Sequence, residues 1–318
     1  MNQQNYFKRR NFLKSASTAT LGALAAGDPR QILAKSDSAS IKATADSVIV
    51  LWMGGGMAST ETFDPKLYTP FEKGLAPDKV LSTFPAIDTS VDHIKLTKGL
   101  EKIGSVMDQG TLIRSYKAGD LGFILHSRHQ FQWHTGYAPP LSVAAPHIGS
   151  VISRTLGPRN PAMPAFIDIG QRLDVGEGEE LKAFHSAGFL GSEYGPFHIA
   201  NPDHALTAVR PPSGMSKSRF ANRYSTYKKL LEKSPIGLAG SDYQKDSLLR
   251  SLDNAHRLLT SPSAKAFDLT LEKKETYDTY NTGQFGRGCL LARRLVESGA
   301  RFIAVSYTHL TLPTNREV

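Results

Sequence analysis

Cysteine is nearly absent: Cys289 is the single one in 318 residues. One thiol cannot close an internal disulfide, so the fold needs no oxidising compartment. It lies in the helical pattern "GCLLARRLVESG" and is expected to be a small core residue. No apolar run approaches the ~20 residues that span a bilayer, so no permanent membrane span is expected. Dense Lys/Arg runs with interleaved aromatics are also missing. The formal net charge is +9, but Lys8, Arg9, Arg10 and Lys14 hold four of those charges, leaving about +5. That is an ordinary basic surface and argues against a nucleic-acid partner. The 40% of apolar residues is normal for a globular chain and suffices for one large core.

The first residues carry an address. "KRRNFLK", Lys8 to Lys14, has two adjacent arginines, a variable residue, Phe-Leu and Lys, the order of a twin-arginine export signal. A weakly apolar stretch, "SASTATLGALAAG", follows, and Ala23 to Ala25 offer a small-residue cleavage site. Residues 1–26 are therefore expected to be a signal peptide and 27–46 a polar linker. The twin-arginine translocation machinery is the expected partner, and the periplasm or cell surface the expected location.

Beyond the linker the pattern alternates strand and helix, which predicts an α/β domain with a mostly parallel central sheet. "SVIVLWMGGG" (47–56) reads as a central strand covered on both faces, its glycines permitting a sharp turn. Residues 93–110 show helical spacing. "TLIRSY" (111–116) reads as a second strand and "MPAFIDIGQ" (163–171) as a third. A helix is predicted over about 121–135, and two more begin at Ser216 and Ser241, the latter with Gln244 completing a capping box. "QFGRGCLLARRLVESG" predicts a last helix and "ARFIAV" a last strand.

The C-terminal "VSYTHLTLPTNREV" has no packing pattern. Residues 305–314 match, codon for codon, a transposase-type sequencing adapter read as GTC TCT TAT ACA CAT CTG ACG CTG CCG ACG. An index then supplies Asn315, Arg316 and Glu317, and GTG TAG supplies Val318 and a stop. Residues 305–318 are therefore expected to be adapter read-through rather than native sequence. The domain is expected to occupy 47–304 and to be incomplete.

Two groups of residues can carry chemistry. His126, His129 and His134 crowd into nine positions beside Arg128. Positions three apart share a helix face, so His126 and His129 can ligate one ion, with His134 nearer the helix end. Arg128 can bind an anionic group. Glu61 and Asp64 follow the first strand, where ligands of open α/β sheets sit, although "FDPK" is also a good Asp-Pro turn. Imidazoles suit Zn²⁺, and oxygen ligands suit Ca²⁺ or Mg²⁺.

Taken together, "VIVLWMGGGMASTETFDPK", "HSRHQFQWHTGYAPP", "GPRNPAMPAFIDIGQ" and "FGRGCLLARRLVESGARFIAV" resemble the domain-of-unknown-function family 1501. The resemblance implies an alkaline-phosphatase-like three-layer fold, related to the sulfatases, with a metal-centred site at the strand ends. It also implies hydrolysis of a small anionic sulfate or phosphate ester. Aligning Thr135-Gly136 with the sulfatase layout places His126 where the nucleophile would fall, with Ser127 adjacent, so Ser127 and Arg128 are the catalytic candidates the resemblance suggests. The chain departs from that pattern in three places. The Pro-Ser-Arg pattern at the nucleophile is absent, the first strand ends without the acidic pair of sulfatases, and the Asp-Thr-His motif that follows the last strand in the family is missing, so residues 1–304 are expected to show no turnover. A non-catalytic exported binding or surface-associated protein on the same fold is the alternative.

Overall fold

The computed structural model describes residues 43–53, 58–70, 72–116, 126–138, 144–170, 186–211, 213–233 and 241–307. The compact unit described below begins at Asp46. Four strands form a wholly parallel sheet: β1 (Val48–Met53), β4 (Phe166–Ile169), β5 (Phe197–Ile199) and β6 (Phe302–Tyr307), in the order β1-β6-β4-β5. Two short strands, β2 (Ala86–Asp88) and β3 (Lys95–Thr97), pair antiparallel as a separate hairpin. The longer helices are α1 (His126–Thr135), α2 (Ile148–Leu156), α3 (Lys217–Lys233), α4 (Asp242–Thr260) and α5 (Gln284–Glu297). The mixed α/β architecture with a mostly parallel sheet is thus as the sequence indicates.

The strand period of two sorts side chains onto opposite faces of the sheet. One face carries Ile167, Ile169, Ile303 and Val305, packed against Leu290, Leu291 and Leu295 of α5. Gly288 lets that helix lie close, since a Cβ there would come within 3.0 Å of Val305. Cys289 packs at the margin of this cluster, and burial pushes its thiol pKa up, which suits a core residue. The opposite face carries Phe166, Phe302, Ala304 and Val50 under α2. Gly149 permits this second contact: a Cβ there would sit 2.6 Å from Phe302 and 2.8 Å from Phe166.

Arg301 ties the amino ends of the sheet together. Its backbone N–H donates to Ala165, its Nε to the carbonyl of Gly157 at the end of α2, and its guanidinium to the carbonyl of Asp46 before β1. Ser241 and Gln244 form the predicted capping box at the start of α4. In α1, residues 126–135 agree with the predicted helix, and 121–125 lie outside the described residues.

Three local expectations are corrected. Among the described residues β1 is an edge strand, not a central one: its one partner there is β6, and Val48, Ile49, Leu51 and Met53 are 39–52% exposed. Residues 111–116 form no strand, and Ile113 is 70% exposed. Strand propensity there pairs with no described strand, while Arg114 reaches across to Asp64. Residues 93–110 are not one helix. Lys95–Thr97 is β3, and only Glu101–Gly104 is α-helical. His93, at φ 67°, breaks any helical run ahead of β3. The segment expected to be adapter-derived contributes its first three residues, Val305 to Tyr307, to β6, where they continue the register with β1.

Candidate functional site

The sheet face under α2 is where polar chemistry gathers. β4 reads Phe-Ile-Asp-Ile, and alternation places Asp168 on the same side as Phe166, roughly 7 Å farther along the strand. Asp168 is 5% exposed, and loss of water raises its carboxyl pKa from 3.8 to about 7. Its register partners are Ala304 on β6 and His198 on β5, so His198 shares that face. Partial burial lowers the pKa of His198. Nearer the carboxyl ends, Ser306 on β6 is buried beside Trp52 of β1, its register partner. Gly170 ends β4 at φ 81°, and a Cβ there would lie 2.8 Å from the Ser306 carbonyl, so glycine allows the two chains to converge.

Above this face lies a pair of buried histidines. His147 precedes α2 as its N-cap, and its Nδ1 accepts the Gly149 N–H at 2.8 Å. The His147 ring stacks on Phe166 at 4.7 Å between centroids and meets Phe302 edge-on at 5.7 Å. Its Nε2 lies 3.1 Å from Nδ1 of His134. His134, near the end of α1, is 5% exposed and packs edge-on against Trp52 at 4.5 Å. Trp133 then contacts Trp52 and stacks on Tyr116. An imidazole pair is thereby enclosed by aromatic rings on the side of the sheet that holds Asp168.

Of the expected site residues, His134 joins this assembly. His129 lies five positions earlier on α1, about 140° around the helix axis, and is half-buried, as is Arg128. The side chains of His126 and Ser127 lie outside the described residues. Glu61 and Asp64 are engaged locally. Both Glu61 carboxylate oxygens accept the Thr83 N–H, at 2.8 and 3.1 Å. Asp64 lies 2.6 Å from the Lys66 ammonium and 3.5 Å from Arg114 Nε. These contacts tie the segment that follows β1 to Thr83 and Arg114.

The resemblance implies a divalent ion, and the described donor set does not fit one. No three His, Cys, Asp or Glu side chains converge among the described residues. Nδ1 of His134 faces Nε2 of His147, and the two acids after β1 are paired elsewhere.

Sequence reasoning missed Asp168, His147 and His198. Asp168 had a readable signal, one carboxylate inside an otherwise apolar strand that ends at a glycine. His147 had a weaker one, a polar residue between Pro146 and the first turn of a helix.

A separate cavity of about 680 Å³ lies at the amino ends of β4 and β5, lined by Arg154, Arg250, Arg257 and Glu193 among others. Two of these charges pair with each other. Glu193 accepts from Arg250 at 2.7 Å and from Ser247, while Arg257 donates to the Pro161 carbonyl. Burial pushes the Glu193 pKa up, but the bonds from Ser247 and Arg250 outweigh it and hold the carboxyl below its usual value. Ligands of parallel sheets sit at the carboxyl ends, so the α2 face is the stronger candidate.

A family model described as "Protein of unknown function (DUF1501)" matches residues 45–310. Neither the curated proteins nor the solved structures yield a match. None of the described helices is long and apolar enough to cross a membrane.

Proposed function

The chain belongs to the DUF1501 family, and from that premise we propose an exported hydrolase of small sulfate or phosphate esters, built on an alkaline-phosphatase-like three-layer fold. In this reading the twin-arginine machinery carries it to the periplasm or cell surface. The signal, residues 1–26, lies outside the described residues.

One observation supports the catalytic reading above the rest: a carboxyl group with a pKa near 7 buried on the sheet face that also carries a histidine pair. Ester hydrolysis needs a proton for the leaving group, and an acid titrating near neutrality transfers one efficiently. Asp168 holds that proton. His134 supplies a polar N–H in an aromatic, low-dielectric setting, where hydrogen bonds to anionic oxygen are strong. Arg128 would neutralise charge on the ester and Ser127 would be the nucleophile, as the resemblance implies. A divalent ion would polarise the ester oxygen if one is bound. Since the described residues do not supply its ligands, no step is routed through it.

A non-catalytic binding protein is the second reading, favoured by the missing carboxylate at the end of β1 and by the local pairing of Glu61 and Asp64. Calorimetric titration of the chain with inorganic phosphate and sulfate tests the hydrolase reading. Saturable binding, lost in His134→Phe, is expected. Wild-type protein that takes up neither anion would refute the hydrolase reading and leave the second. Turnover of 4-nitrophenyl phosphate or sulfate by this chain, which the missing Asp-Thr-His motif leads us not to expect, would decide for the hydrolase.

A further inference from the structure

We infer that His134 serves this site as a hydrogen-bond donor, through an Nε2–H that His147 locks in place, and not as a metal ligand. The inference deepens the proposed function and rests on its choice of the α2 face as the site.

The argument follows one proton at a time. A backbone amide can only donate, so the 2.8 Å contact from Gly149 N–H fixes a lone pair on His147 Nδ1. A neutral imidazole with a lone pair on one nitrogen carries its proton on the other, so His147 donates from Nε2. That proton meets His134 Nδ1 at 3.1 Å, which must therefore accept. The proton of His134 is left on Nε2. Turning the His147 ring over would break its bond to Gly149 and disturb its stacking on Phe166. The amide at the start of α2 thus sets the tautomer of a residue on α1.

A histidine that ligates a metal needs the opposite arrangement. It turns a lone pair to the ion and gives its other N–H to an acceptor. Here the other nitrogen faces a donor, so ligation through Nε2 would require His134 to break from His147. The site therefore meets negative charge with a fixed N–H where the family resemblance implies a cation. The ligand class this fits is an anionic oxygen, as in a phosphate or sulfate group.

Long-range ¹H–¹⁵N spectra of the histidine-labelled chain test the inference without any assay of activity. Both His134 and His147 are expected as Nε2–H tautomers, with His134 signals unmoved by stoichiometric Zn²⁺ and shifted by saturating inorganic phosphate. His147→Asn keeps a good N-cap but is too short to reach His134. The variant should retain its helix content, lose the single tautomer at His134 and gain a response to Zn²⁺. An Nδ1–H tautomer at His134 in the wild type, or a Zn²⁺-induced shift there, overturns the inference. Phosphate that binds without shifting His134 removes its donor role. Failure of phosphate to bind at all, with the tautomers as stated, instead sinks the function reading and leaves the lock standing. If His147→Asn does not fold, the wild-type spectra decide alone.

Discussion

On the side of the sheet covered by α5, Ile167, Ile169, Ile303 and Val305 meet Leu290, Leu291 and Leu295, and the buried cluster is wholly apolar. On the side covered by α2, the same strands present Asp168 and Ser306, and the covering elements add His134 and His147. Adjacent residues of β4 therefore face opposite environments. The α5 side contributes stability through burial at roughly 25 cal/mol per Å² of apolar surface. The α2 side gives some of that up, because a buried carboxyl costs free energy whenever it ionises. A polar cost of this kind, kept beside a ring-enclosed histidine pair, is what a working site looks like in physical terms.

The sharpest way to break the comparison is through Asp168. Its folded pKa, about 7, lies above its ordinary 3.8. The folded state therefore binds the proton more tightly, and the contribution of this group to stability is greatest in acid and is lost as pH rises through 7. The full loss is on the order of 4 kcal/mol. Asp168→Asn should remove this pH dependence and melt higher than the wild type at pH 8. Thermal scans across pH 5–8 read it, and parallel wild-type and variant profiles would remove the buried carboxyl from the account.

On the apolar side, Leu291→Ala should cost about 3 kcal/mol by leaving a cavity. Denaturant titration measures that loss, and phosphate affinity under native conditions should not follow it. Gly149→Ala attacks the polar side through packing. Its methyl would collide with Phe166 and Phe302, costing about 2 kcal/mol, and should weaken phosphate binding by displacing His147. The smallest effect is expected away from both faces. Glu193→Gln, which weakens the contacts to Ser247 and Arg250, should cost about 1 kcal/mol and leave phosphate binding intact by calorimetry.

Helices with terminal signals of their own were legible in the sequence. Ser241 and Gln244 announce α4, and the apolar spacing of residues 284–297 announces α5. Features that depend on distant neighbours were not. Val48–Met53 reads as a central strand because its composition suits one, yet edge or centre is decided by β6, some 250 residues away. Thr111–Tyr116 has strand composition and no partner strand among the described residues. In the candidate site, proximity along the chain misled: His126, His129 and His134 are close in sequence, but helical geometry turns His129 away from His134. The partner His134 does take, His147, belongs to the next helix and lies 13 residues on. Asp168 could have been found by asking why one acid interrupts a buried strand.

The most direct test of the central claim is a crystal structure of the chain soaked with inorganic phosphate. The account predicts phosphate on the α2 face of the sheet, with one oxygen within hydrogen-bonding distance of His134 Nε2. Phosphate bound instead among Arg154, Arg250 and Arg257 at the amino ends of the strands, with the α2 face empty, would contradict it.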